Sequence, residues 1–167
     1  MNTIKQKWLV YSAVIVVGLA IALAGIQSQI LREEQLARDA ALKEFTSKKF
    51  EVEAVLFTAM FTCNNNWSQS YEWDELEPET LIINGMGQYE STGAIYEEIV
   101  CVLENVEAPS SVLARLGNTR ALDGVQEASW DSSSGDWSIE AFWSYHPDDG
   151  ADVILELKSR YLADFEG

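Results

Sequence analysis

Histidine is nearly missing from this chain: among 167 residues, His146 is the only one. Cysteine occurs twice, as Cys63 and Cys101, and basic residues are outnumbered, 11 Lys and Arg against 27 Asp and Glu. Each scarcity excludes some chemistry. Two thiols and one imidazole are too few for a structural zinc site, which takes four such ligands. A single histidine with no G-x-S-x-G elbow does not point to a hydrolase triad, and no cofactor fingerprint occurs. From Phe50 onward 23 acidic residues face only Arg115, Arg120, Lys158 and Arg160, a net charge of −19. Such a surface repels phosphate backbones and anionic headgroups, which excludes nucleic acid as a partner. It keeps a domain soluble, and it also suits a basic partner or steers cations. Carboxylates are abundant, yet nothing singles out two of them as a glycosidase pair. The expectation is a protein without catalytic residues, bound cofactor or metal.

Charge is also absent from Trp8 to Ile26, nineteen residues long. As a helix this run covers roughly 28 Å, close to the hydrocarbon thickness of a bilayer. Lys5 and Lys7 precede it with no acid among the first seven residues, whereas the charges after it roughly cancel. Positive charge stays on the cytoplasmic side, so residues 1–7 are expected inside, 8–27 across the plasma membrane and the rest outside. Trp8 and Tyr11 suit the inner aromatic belt. A cleaved signal peptide is the rival reading, because Ala22-Leu23-Ala24 is an A-x-A pattern. The apolar run overshoots that site into helix-forming sequence, which favours a retained anchor. Leu23-Ala24-Gly25 resembles a lipobox, but Ile26 stands where the lipidated cysteine would be. Gly18, Ala22 and Gly25 share one helix face, where small residues let a neighbouring helix approach, so they are candidate contacts to other membrane subunits.

Residues 28–48 have no Gly or Pro and are rich in strong helix formers, which predicts a stalk continuing the membrane helix. Their apolar stripe is too loose for a long coiled coil. Residues 49–167 then form an acidic α+β domain. Phe50–Cys63 is ambiguous: Phe50, Val52, Ala54 and Leu56 alternate like a strand, while Val52, Val55, Leu56, Ala59, Met60 and Cys63 fit a helix. The absence of breakers favours helix. Asn64–Pro78 reads as a loop whose Trp67, Tyr71 and Trp73, set among carboxylates, are candidate partner- or sugar-binding residues. Asn66-Trp67-Ser68 is also a glycosylation sequon.

Thr80–Ile83 reads as a short strand ending in an Asn84-Gly85 turn. Ala94–Val106 is an amphipathic helix with Ile95, Ile99, Val102, Leu103 and Val106 on one side. A second helix, Ser110–Leu116, should stop at Gly117. Val125–Trp130, Trp137–Tyr145 and Val153–Leu157 read as an antiparallel meander with short turns. Its middle strand alternates Trp137, Ile139, Ala141, Trp143 and Tyr145 toward the core. Lys158–Phe165 suggests a final helical turn. Cys63 and Cys101, an even pair in a part placed outside, most simply form one disulfide. Asp131–Asp136 superficially resembles a calcium loop but lacks the glycine at its sixth position and has Phe142 at the place of the bidentate glutamate. His146, before Pro147, fits a turn.

Thr119-Arg120-Ala121-Leu122-Asp123-Gly124-Val125-Gln126, followed by Trp143-Ser144-Tyr145-His146-Pro147-Asp148-Asp149-Gly150, resembles a pattern of small secreted or membrane-anchored actinobacterial domains. The resemblance covers about the last fifty residues. It implies a fold and an envelope location, and it carries no catalytic residue. By architecture the chain is similar to accessory subunits of the actinobacterial cytochrome bcc–oxidase supercomplex, one helix with a small outer domain. The function expected is therefore that of a non-catalytic, single-pass accessory subunit. The alternative is a free-standing envelope domain that binds a ligand, sugar or cation through residues 64–79.

Overall fold

A computed structural model describes residues 2–64, 71–74, 77–86, 94–148 and 150–163; side chains are described from Gly25 onward, Met86 excepted. The chain divides into two units, residues 1–44 and residues 45–166.

Helix α1 runs from Asn2 to Cys63. Gln27–Cys63 has no Gly or Pro to break its hydrogen-bond ladder. In the first unit every side chain from Gly25 to Glu44 is exposed, Ile26, Ile30, Leu31, Leu36 and Leu42 among them. Among the described residues no helix is long and apolar enough to cross a membrane. The expected span 8–27 falls almost wholly on residues 1–24, whose side chains, Gly18 and Ala22 included, lie outside the described ones.

The second unit takes up α1 at Phe45. Val52, Leu56, Ala59 and Cys63 are buried at spacings of four, three and four, one stripe of a helix. The strand reading of this segment fails on Phe50, which would share a face with Val52 but is 74% exposed. Two further helices follow, α2 over Tyr96–Asn105 and α3 over Ser110–Asn118. α2 buries Ile99, Val102 and Leu103 as its periodicity requires, with Val106 buried at its cap. α3 does not stop at Gly117 but continues one residue past it. A Cβ there would meet the Tyr96 hydroxyl at 3.2 Å, so this glycine serves close packing.

Five antiparallel strands form one sheet: β1 Tyr71–Asp74, β2 Glu77–Met86, β3 Gln126–Asp131, β4 Ser138–His146 and β5 Gly150–Lys158, in the order β1-β2-β5-β4-β3. The expected C-terminal meander is present. The Asn84-Gly85 pair makes no turn: β2 runs through it, and the register to β5 shifts between Ile83 and Met86. Gly85 has φ 71° and donates its N–H to Asp152 Oδ1 at 3.0 Å, so the positive-φ position absorbs a bulge instead of a hairpin. Tyr71 and Trp73, expected in a loop, stand on edge strand β1 opposite Ile83 and Leu81.

Leu81, Ile83, Trp130, Ile139, Ala141, Trp143, Val153, Leu155 and Leu157 turn from the sheet into one core with the helices. Within the expected core row of β4, Trp137 is only partly buried, packed at the edge of the core, and Tyr145 is exposed. Trp130 Nε1–H donates to the Val106 carbonyl at 2.7 Å and Trp143 Nε1–H to Thr119 Oγ1 at 2.8 Å, which satisfies both buried indoles. Ser159–Ala163 makes a turn closed from Leu162 N–H to the Ser159 carbonyl, and Asp164 and Phe165 lie outside the described residues.

Candidate functional site

The disulfide Cys63–Cys101 is formed, with Cα atoms 5.7 Å apart. It ties the last residue of α1 to the middle of α2. Asn105 completes the joint, its Nδ2–H donating to the Cys101 carbonyl at 2.9 Å and facing Cys63 Sγ at 3.3 Å. This fixes the rotation of α1 about its axis and hence which of its faces looks outward.

That outward face is aromatic. At about 100° per residue, Phe50, Phe57 and Phe61 lie roughly 150° from the buried stripe of Val52, Leu56, Ala59 and Cys63. Phe50 is 74% exposed and Phe61 61%. Phe57 stacks on Phe61 at 5.9 Å between ring centroids and also meets Trp73 of β1 at 4.9 Å, tilted by 47°. Trp73 also donates Nε1–H to the Pro78 carbonyl at 3.3 Å. One helix face and one edge strand thus bring three aromatic rings together, with a fourth, Phe50, on the same helix face two turns before Phe57. Three of the four had no part in the sequence expectation. Their spacing of seven and four is a helical signal, visible once the helix reading of 50–63 is adopted.

Of the expected site residues, Trp73 belongs to this surface and Tyr71 does not. The Tyr71 hydroxyl is buried and has no hydrogen-bond partner among the described residues. Burial first, and then the charge of Glu98, hold its pKa well above the usual tyrosine value. Glu98 is itself buried in the first turn of α2, where its carboxylate accepts from Ile95 N–H at 3.5 Å and favours the positive end of the helix dipole. Trp67 and the sequon at 66–68 lie outside the described residues, as do Gly18 and Ala22. Gly25 is exposed, with open space where a Cβ would stand.

The segment that superficially resembled a calcium loop is the β3–β4 turn, and several of its groups are already engaged. Ser132 N–H donates to the Trp137 carbonyl, Gly135 N–H to the Ser132 carbonyl, and Ser133 N–H to Glu107. Asp136 pairs with Lys48 of α1 at 3.0 Å, and that hydrogen bond lowers the Asp136 pKa. Among the described residues no three His, Cys, Asp or Glu side chains stand together as metal ligands. His146 Nδ1 accepts from Asp148 N–H at 3.2 Å across the β4–β5 turn.

The Thr119–Gln126 segment forms a 3-10 turn, Ala121–Asp123, in which Asp123 accepts from the Arg120 backbone N–H at 2.8 Å and pairs with its guanidinium at 3.1 Å. No family model, curated protein or solved structure matches the chain.

Proposed function

We propose that this chain is a single-pass membrane protein whose acidic extracytoplasmic domain acts by binding, as an accessory subunit of a larger membrane complex such as an actinobacterial cytochrome bcc–oxidase supercomplex. The observation that carries the binding reading is the aromatic surface of exposed Phe50, Phe57 and Phe61, bordered by the half-buried Trp73. Large rings held in solvent have a hydration cost that a partner's surface removes, and aromatic residues dominate the energetics of protein interfaces. The charge-free run Trp8–Ile26 behind Lys5 and Lys7 supports the membrane placement, with residues 27–167 outside. The disulfide fits an oxidising compartment beyond that membrane. Meeting of the two halves of the actinobacterial pattern, through Trp143 on Thr119, fits the resemblance without adding a function to it.

The test is co-purification of the full chain from membranes in mild detergent. Respiratory subunits should accompany it in fixed stoichiometry. The double variant Phe50→Ser/Phe61→Ser should still reach the membrane and form its disulfide, yet lose those subunits, because truncating exposed interface aromatics costs about 2 kcal/mol or more apiece in binding. A solitary protein that binds glycans or calcium would replace this reading with that of a free-standing envelope receptor.

A further inference from the structure

The described helices of the second unit pack on one face of the sheet, and the other face has a pattern of its own. The register sets Ile82 of β2 opposite Ile154 of β5, and Ile154 opposite Phe142 of β4. These three apolar side chains form one row across the three central strands. The row ends in a carboxylate at both edges, Glu72 opposite Ile82 on β1 and Glu127 opposite Phe142 on β3. On one side of it runs the row of Thr80, Glu156, Glu140 and Ser129, and on the other Asp152 stands opposite Ser144. Among the described residues Lys158 is the one Lys or Arg on this face, and it is already engaged, 2.6 Å from Glu156 and 3.8 Å from Glu140. Ile154 is 36% exposed, and Ile82 and Phe142 are partly exposed.

We infer that this open face is a docking surface for a basic amphipathic segment of a partner protein, one presenting two or three apolar side chains bracketed by Lys or Arg. Charge complementarity selects that occupant. Five carboxylates, those of Glu72, Glu127, Glu140, Asp152 and Glu156, surround an apolar row about 10 Å long, the span of three strands at their usual spacing. Apolar contact along the row supplies affinity, and the acidic rim supplies orientation and rejects acidic competitors. A second copy of this chain is disfavoured, because it would bring one acidic rim against another. An anionic membrane surface is disfavoured for the same reason. The surface is distinct from the aromatic one on α1.

The test uses the full chain in neutral detergent and a short synthetic Leu/Lys amphipathic helix carrying a photoactivatable phenylalanine. The peptide should cross-link to β4 and β5 around Phe142 and Ile154, and the matched Leu/Glu peptide should not. Ile154→Glu should weaken binding by about tenfold although it adds attraction for the lysines, which separates apolar docking from nonspecific charge. Glu127→Lys/Glu140→Lys should weaken it by a similar factor and flatten its salt dependence. Retention of the disulfide and of the circular dichroism spectrum shows that each variant is folded. Phe50→Ser/Phe61→Ser should keep the cross-link, so the two proposed surfaces stand or fall separately. Cross-links elsewhere, links between two copies through Ile154, equal binding of the acidic peptide, or no cross-link at all would overturn the inference.

Discussion

At the scale of single residues, the Tyr71 hydroxyl combines burial, no hydrogen-bond partner among the described residues and the nearby Glu98 charge, all of which oppose its ionisation. Its pKa is therefore higher in the folded state than in the unfolded one. Neutral tyrosine is compatible with the fold, so its share of stability is intact below the ordinary value of 10 and declines as pH rises above it. Tyr71→Phe should remove much of that alkaline loss in denaturant titrations between pH 9 and 11, while changing stability near pH 7 by under about 1 kcal/mol, since it deletes a buried polar atom that has no described partner. A chain in which alkaline unfolding is the same with Phe at position 71 would contradict this. The sequence pointed to Tyr71 as a binding residue because aromatics among carboxylates look surface-borne. Whether an edge-strand residue points in or out depends on its register with β2, and a four-residue strand is too short for its own pattern to reveal that.

Secondary-structure elements were legible in proportion to the strength of their period. α2 and the meander β3–β4–β5 could be read because their apolar spacing fits a single template. The 50–63 segment satisfied both templates, and the helix prevailed because Cys63 had to reach Cys101 while Val52, Leu56 and Ala59 shared its side. Asn-Gly is a strong hairpin signal, yet here the flanking Leu81–Ile83 pairs with β5 and the glycine's positive φ serves a bulge. Pairing over seventy residues of separation leaves no local trace. The joint between α1 and α2 gives a prediction at this scale. Cys63→Ser/Cys101→Ser should lower unfolding free energy by about 4 kcal/mol in the chain-entropy account of a loop this size. Chemical denaturation with and without reductant measures it, and a loss under about 1 kcal/mol would show that packing alone holds the two helices.

Over the whole molecule, the fold class and the disulfide could be argued from the sequence, but both exposed surfaces depend on arrangement. The aromatic one needs the rotation of α1, and the sheet's open face needs five strands in register. Composition announced only that the domain is acidic, and the register shows where that acidity rings apolar side chains. The strand order β1-β2-β5-β4-β3 also has a temporal meaning. Hairpins β1–β2, β3–β4 and β4–β5 are local in the chain, but β2 can find β5 only after some seventy further residues have been made. Until then β2 and β4 each present an unpaired edge, and the assembly of the sheet waits on its last strand. A chain ending at His146 should consequently associate through those edges and sediment as aggregates, whereas the full chain stays in solution in the same detergent; a dispersed truncated chain would show that the edges are protected without β5. During synthesis the vulnerable interval closes only when the final strand emerges, so a pause in translation before residue 150 is more hazardous to this protein than one at any earlier point in the domain.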